Sequence, residues 1–146
     1  MPEKDFYQIS LKLILKNDQD EILVLKSSKQ GFCFGFYDLP GGRIDDNEFK
    51  IDFLEILKRE LSEELGQLEV DIINKPVALG RAESRNTSFN GKKLHVLYVV
   101  FEGNYHGGEI IISDEHTEYK WVNLKNIKLE DYFVSGILDV IKMYLN

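Results

Sequence analysis

Residues 39–66, which read LPGGRIDDNEFKIDFLEILKRELSEELG, form the stretch that decides the fold of this 146-residue chain. Leucines recur in its second half at steps of three and four residues, a spacing that predicts a helix with one buried apolar stripe. The leucines of this stripe are Leu54, Leu57, Leu61 and Leu65. Asp52, with Glu55 three residues later, resembles a capping box at the helix start. Gly66 is the expected end, because glycine adopts the left-handed conformation without penalty.

The same helix carries three glutamates, Glu60, Glu63 and Glu64, whose spacing places them on one face beside the leucine stripe. Like charges this close repel one another and destabilise the helix unless a positive charge lies between them. Mg²⁺ takes oxygen ligands and keeps waters that a phosphate can replace, so it is the cation we expect, with Mn²⁺ as the second candidate. The helix is therefore predicted to hold a divalent cation.

These residues together resemble the Nudix box of the Nudix hydrolases (MutT-like). An LPGG turn ends at Gly42, Glu48 follows after five residues, and the helix reads Arg-Glu-Leu-x-Glu-Glu-x-Gly from Arg59 to Gly66. A composite of this length is far more specific than a lone glycine motif. The chain departs from the family pattern in two ways. Ten residues rather than seven separate Glu48 from Arg59, and Gln67 stands where the family prefers an apolar side chain.

The three-residue insertion makes Glu48 the box residue of uncertain role. We expect the insertion to fall before Asp52, which leaves the register of the helix unchanged. On the lengthened loop, Glu48 would brace Arg59 with about the strength of an exposed ion pair. We therefore expect Glu48→Gln to leave most of the activity that the resemblance implies.

The resemblance implies an α/β fold, the Nudix α/β/α sandwich around a mixed β-sheet, with residues 1–146 as a single domain. It also implies metal-dependent hydrolysis of a diphosphate linkage in a nucleoside diphosphate joined to another group. Residues 80–85 contain neither a proline nor a tyrosine, the marks of the ADP-ribose and dinucleoside polyphosphate branches, which favours nucleoside triphosphates or nucleotide sugars. The alternative is a catalytically silent nucleotide-binding module, against which the intact glutamates argue.

Roles for single residues follow from the same resemblance. One of the helix glutamates, or Glu115, would orient and deprotonate the attacking water. Arg59 would orient a carboxylate. Lys26 and Arg43 would contact phosphate, although Lys26 is interpreted equally well as a solvated lysine. The predicted site comprises the metal ligands Gly42, Glu60, Glu63 and Glu64, the catalytic residues Glu63, Glu64, Glu115 and Arg59, and the phosphate contacts Lys26 and Arg43.

Residues 114–121, DEHTEYKW, form a second acidic stretch. In some Nudix hydrolases a glutamate of this loop joins the metal or acts as the base, and we expect Glu115 to do so here. Glu118 borders the following strand and is expected to face solvent. His116 has the pKa of a general base, but a lone histidine in a polar loop is more often a bystander.

Composition bounds the partners and the location of the chain. A formal charge of −7 argues against sequence-independent binding to nucleic acid and against attraction to anionic membranes. The partner that the Nudix resemblance implies is a small nucleotide. The longest apolar run, residues 96–101, is too short to span a bilayer. Cys33 is the lone cysteine, so no intrachain disulfide forms and a cytoplasmic location is expected. We also allow for a homodimer.

Two other classes of site are disfavoured. His95 and His106 have no cysteine or histidine partners at ligand spacing, so we expect no zinc site. The isoprenoid diphosphate isomerases that share the Nudix fold rely on a catalytic cysteine and a histidine-rich metal site. Cys33 and the scattered histidines of this chain do not resemble that arrangement.

Apolar patterning outside the box predicts the remaining elements. The expected strands are residues 7–16, 21–27, 68–73, 77–83, 94–102, 109–113 and 119–123. The first two strands are expected to form a hairpin. Asn90-Gly91 is a tight-turn signal before residues 94–102, the most apolar strand, which is expected at the centre of the sheet. Residues 103–108 are predicted to be a loop. A second helix is predicted over residues 129–145, with Phe133, Ile137 and Ile141 as its packing stripe.

Overall fold

The computed structural model of the protein describes residues 1–28 and 35–146, without the side chains of residues 85–87. Cys33 lies outside these described residues. The strands are β1 Tyr7–Lys16, β2 Ile22–Ser27, β3 Tyr37–Asp38, β4 Gly41–Arg43, β5 Glu69–Ile72, β6 Ala78–Phe89, β7 Lys92–Gly107 and β8 His116–Val122. The helices are α1 Phe53–Leu65, α2 Leu129–Tyr132 and α3 Ser135–Leu145, with 3₁₀ turns at Asp46–Glu48 and Leu124–Asn126.

In the described part of the chain, these strands form an eight-stranded mixed sheet with β1 and β7 at its centre. β1 and β7 pair in parallel over their whole common length, while β5 and β6 pair antiparallel with successive parts of β7. The other side of β1 is shared. Its last residue, Lys16, pairs with Ile22 of β2, whereas residues 10–12 pair with β4. The expected β1–β2 hairpin therefore pairs only next to its turn, and β4 occupies the rest of that edge.

Helices cover both faces of the sheet, so the predicted α/β/α sandwich is confirmed. Leucines of β1 and β2 pack against Ile56, Leu57, Leu61 and Leu65 of α1. On the opposite face, Ile14 and Val24 pack in one cluster with Phe133, Ile137 and Ile141. Alternate residues of β1 and β2 thus face different helices, which is the period-two pattern of a sheet buried on both sides. No helix in residues 1–28 and 35–146 is long and apolar enough to cross a membrane.

The bounds of α1 agree with the sequence prediction, but its start is held differently. Asp52 is the residue before the first helical turn and Gly66 ends the helix with a φ of 83°. The Asp52 side chain makes no capping hydrogen bond, so the predicted capping box does not form. The helix runs without interruption from Phe53 to Leu65, so residues 59–66 have the helical register that the sequence predicts.

The structure corrects three other predictions, two of them through contacts between segments that are distant in sequence. Residues 103–107 are not a loop, because β7 continues through them in register with β5. Residues 109–113 are not a strand, since the amides of Ile111 and Ser113 instead donate to the carbonyl oxygens of Leu65 and Glu64 at the end of α1. The predicted helix over 129–145 is interrupted at residues 133–134, which are extended.

Candidate active site

An open cavity of about 750 Å³ lies beside β1 and β4, between α1 and the loop that precedes β8. Carboxylates dominate its lining, and the basic side chains among the described lining residues are Lys12, Arg43 and Arg59. The volume falls within the range of small-molecule binding sites. An acidic cavity of this size attracts cations, so a polyanionic ligand would need one beside it.

Arg59 organises the carboxylates of the Nudix-like box. Its Nε and Nη2 each donate to Glu48 at 2.8 Å, and its Nη1 donates to Glu63 Oε1 at 3.2 Å. Arg59 Nη2 also lies 3.0 Å from Glu60 Oε1. The hydrogen bonds from Arg59 are the main cause of a lowered pKa at Glu48, and in return they raise the pKa of Arg59. Arg59 is therefore a positioning residue for three carboxylates.

The structure corrects the expectation that Glu48 braces Arg59 from a flexible loop. Glu48 belongs to the 3₁₀ turn Asp46–Glu48, and its Oε1 accepts the Asp45 amide at 2.8 Å. Its side chain is only 11% exposed. The ten residues between Glu48 and Arg59 therefore do not keep the two side chains apart.

Glycines 41 and 42 let two neighbouring segments approach β4 closely. A Cβ on Gly42 would overlap the carboxylate of Glu60, and a Cβ on Gly41 would overlap the carbonyl oxygen of Leu11. Gly41 also has a φ of 137°, a conformation that favours glycine. Burial raises the pKa of Glu60, whose side chain is 15% exposed and lies against Gly42. The Gly-Gly pair thus brings the α1 carboxylates into contact with the β4 backbone.

Glu64 is the most buried carboxylate of the cavity. Its Oε1 accepts the Gly41 amide at 2.8 Å. Burial raises the pKa of Glu64 to about 8, an effect that the charge of Lys12 and the Gly41 hydrogen bond only partly offset. The Glu63 side chain, by contrast, is 61% exposed. The two adjacent glutamates therefore meet different environments.

Lys12 is a buried member of the cavity that the sequence prediction missed. Its Nζ donates to Asp38 Oδ2 at 3.1 Å and to the Leu39 carbonyl oxygen at 3.2 Å. Burial alone would lower the pKa of Lys12, but the carboxylates of Asp38 and Glu64 outweigh it and the pKa is raised. A lysine between Leu11 and Leu13, inside the apolar part of the first predicted strand, was the available signal.

The loop before β8 contributes Glu115 to the cavity, and the first residue of β8 contributes His116. Ligand atoms of Glu64, Glu115 and His116 all lie within 4.8 Å of one another. The His116 side chain is only 7% exposed, and burial lowers its pKa. His116 is therefore not the solvated loop residue that its sequence context suggested. Glu118 lies on β8 and accepts a hydrogen bond from the Tyr37 hydroxyl at 2.5 Å, so it does not simply face solvent.

The two predicted phosphate contacts lie in different places. Arg43 lines the cavity, where its Nη1 donates to Gln8 Oε1 at 3.0 Å. Lys26 is not among the described residues that line the cavity. Its Nζ lies 5.8 Å from the centre of the Tyr37 ring, which packs on the α3 side of the sheet.

The NUDIX domain family model matches residues 7–142. The chain belongs to the NUDIX family. Nudix family members are pyrophosphohydrolases, which act on acid anhydrides, and the chain is an enzyme of this class.

Similar proteins agree with this assignment. The nucleoside triphosphatase NudI of Salmonella paratyphi B is 28% identical over 133 residues, covering 84% of this chain and 86% of NudI. The MutT protein of Methanosarcina mazei Go1 is 26% identical, with a TM-score of 0.70 over 98% of this chain and 96% of that one. The NUDIX domain of Shewanella oneidensis NrtR, solved with ADP ribose, shares the fold at 15% identity, with a TM-score of 0.62 over 97% and 86% of the chains.

The residues of this Nudix site fit a divalent cation. Carboxylate oxygens are the ligands that Mg²⁺ and Mn²⁺ accept. A buried carboxylate with a pKa near 8 is one whose negative charge lacks compensation in the protein alone. The ligand group that includes Glu64 therefore has both the chemistry and the unmet charge that a cation requires.

Proposed function

We propose that residues 1–146 form a single Nudix hydrolase domain that cleaves a diphosphate linkage with the help of a divalent cation, Mg²⁺ or Mn²⁺. The substrate would be a nucleoside triphosphate, with a nucleotide sugar as the second choice. One observation carries the proposal: Arg59, fixed by Glu48, holds Glu60 and Glu63 beside the buried Glu64 at the wall of one cavity.

The cation would be held by Glu60, Glu63 and Glu64 on α1, and by the carbonyl oxygen of Gly42. Gly42 supports this assignment because its missing side chain lets Glu60 lie directly against β4. When bound, the cation neutralises charge on the phosphate oxygens in the transition state. Arg59 orients its carboxylate partners, and it stays charged because hydrogen bonds raise its pKa above an already high value.

One of the cavity carboxylates would orient the attacking water and accept its proton. Glu115 is the candidate outside α1, because it lines the cavity and is more exposed than Glu64. Glu63 and Glu64 are the candidates on α1. A base must lie within hydrogen-bond reach of the water it deprotonates, and all three residues line the cavity that would hold this water.

The substrate proposal joins three supports. Arg43 lines the cavity on β4 and offers a guanidinium to the phosphates. The cavity volume of about 750 Å³ suits a nucleotide. The relative NudI is named a nucleoside triphosphatase.

A net charge of −7 disfavours nucleic acid as the partner. A cytoplasmic location and a homodimer remain predictions, the latter tested by light scattering.

The test is hydrolysis of a panel of nucleoside triphosphates, nucleotide sugars and ADP-ribose with Mg²⁺, with products separated by chromatography. Glu64→Gln should reduce turnover at least about a hundredfold, since it removes a carboxylate that offsets transition-state charge. Glu55→Gln, an exposed glutamate on the same helix, is the matched control and should have little effect. Tight nucleotide binding without any cleavage would instead favour a silent binding module.

A further inference from the structure

His116 has unusual surroundings for a histidine. Its side chain is 7% exposed, and its Nδ1 is buried without a hydrogen-bond partner among the described residues. The other two histidines of the chain are both paired with carboxylates: His95 Nδ1 lies 2.6 Å from Asp5, and His106 Nε2 lies 2.7 Å from Asp71. Leaving a buried polar atom unpaired costs free energy, so hydrogen bonding of Nδ1 does not explain the burial of His116, and the surroundings of Nε2 are the ones to consider.

The geometry around Nε2 indicates which kind of ligand. His116 Nε2 lies 3.9 Å from Glu64 Oε2, which is too far for a hydrogen bond between them. A single cation bridges a nitrogen and an oxygen up to about 4.2 Å apart, because each metal–ligand bond is about 2.1 Å long. A carboxylate oxygen of Glu115 completes a group in which all ligand atoms lie within 4.8 Å of one another.

Neighbouring groups leave this position open to a cation. Lys12 is the nearby positive charge, but its Nζ is directed to Asp38 and the Leu39 carbonyl oxygen. The loop itself is held in place: the Ser113 amide donates to the Glu64 carbonyl oxygen at 3.1 Å, and the His116 amide donates to Ser113. Glu64 and His116 are thus fixed relative to each other by backbone contacts.

We propose that His116 supplies a nitrogen ligand to a divalent cation held with Glu64 and Glu115, so that the site prefers a first-row transition ion over Mg²⁺. Imidazole nitrogen binds such ions better than it binds Mg²⁺, which prefers oxygen. The inference rests on the proposed function in that the cation occupies the same cavity. It adds a ligand from outside α1 and a metal preference that carboxylates alone do not confer.

Electron spin-echo spectroscopy of the Mn²⁺-loaded protein tests this directly, because it detects nitrogen nuclei bound to the ion. The wild-type protein should show nitrogen modulation that changes when histidine is labelled with ¹⁵N. His116→Gln should abolish the modulation and weaken Mn²⁺ binding about tenfold or more, while Mg²⁺ binding changes little. The double variant His95→Gln/His106→Gln is the matched control and should retain the modulation. Glu115→Gln should weaken Mn²⁺ binding but keep the nitrogen signal.

Each contrary result has a separate meaning. Mn²⁺ that binds without nitrogen modulation, or modulation that survives His116→Gln, would overturn the inference, and a positive Mg²⁺ hydrolysis assay would still support the proposed function. No binding of Mn²⁺ to the wild-type protein would remove both the inference and the cation from the proposed function. Because the labelling experiment uses wild-type protein, its result does not depend on the folding of any variant.

Discussion

Replacing Lys12 by methionine tests whether this buried lysine holds the LPGG turn, residues 39–42, against β1. The change keeps the length of the side chain but removes the Nζ that donates to Asp38 and to the Leu39 carbonyl oxygen. Breaking a buried ion pair by removing one partner costs about 3–5 kcal/mol. The Lys12 and Asp38 side chains are 8% and 19% exposed, so water partly solvates the carboxylate left behind. We therefore expect a loss of about 2–4 kcal/mol in the free energy of unfolding.

Urea unfolding of a double-mutant cycle measures this loss. Lys12→Met and Asp38→Asn should each destabilise the protein, and the double variant should lose less than the sum, with a coupling of about 1–3 kcal/mol. Lys16→Met is the matched control on the same strand. Lys16 Nζ lies 3.2 Å from Asp20 Oδ1, and the two side chains are 30% and 63% exposed, so replacing Lys16 should cost less than about 1 kcal/mol. A Lys12→Met cost as small as that of Lys16→Met, or additive single variants, would refute the reasoning.

Three further predictions concern the carboxylates. Glu48→Gln should lower turnover about tenfold or more, measured by initial rates with unchanged circular dichroism, because Arg59 loses its main partner; near-wild-type rates would restore the flexible-loop interpretation. Glu115→Gln should lower turnover about tenfold while Glu118→Gln changes it little, and the reverse order would exclude Glu115 from the site. Because burial raises the pKa of Glu64 from 4.5 to about 8, its stabilising effect is complete below pH 4.5 and lost as pH rises through 8. The unfolding temperature in a chelator should therefore fall between about pH 4.5 and pH 8, and Glu64→Gln should reduce that fall.

Local sequence patterns predicted α1 and its end, because a helix is specified by residues a few positions apart. The leucine stripe and Gly66 placed the glutamates in their observed register. The same patterns failed where partners are distant in sequence. Residues 103–107 form a strand because β5 lies beside them, and residues 109–113 do not because the carbonyl groups at the end of α1 bind their amides.

Candidate site residues divide in the same way. Arg59, Glu60 and Glu64 lie on one helix, and their proximity followed from spacing alone. Lys12 belongs to β1, and the contact between its Nζ and Asp38 depends on the pairing of β3 with β2 and of β4 with β1. His116 reaches the cavity because the preceding loop is fastened to the last turn of α1. No short-range pattern encodes either contact, so sequence reasoning assigned both residues no role.

Glu64 is the buried carboxylate of the cavity that forms no ion pair with lysine or arginine among the described residues. Arg59 forms ion pairs with Glu48, Glu60 and Glu63, and Lys12 pairs with Asp38. Among the described residues, Glu64 has no lysine or arginine nitrogen at ion-pair distance, and its closest basic atom is His116 Nε2 at 3.9 Å. Burial without a lysine or arginine at ion-pair distance explains why the pKa of Glu64 is raised. Its exposed neighbour Glu63 forms an ion pair with Arg59. A cation in the cavity would therefore gain most from Glu64, and the two adjacent glutamates would contribute unequally to its binding.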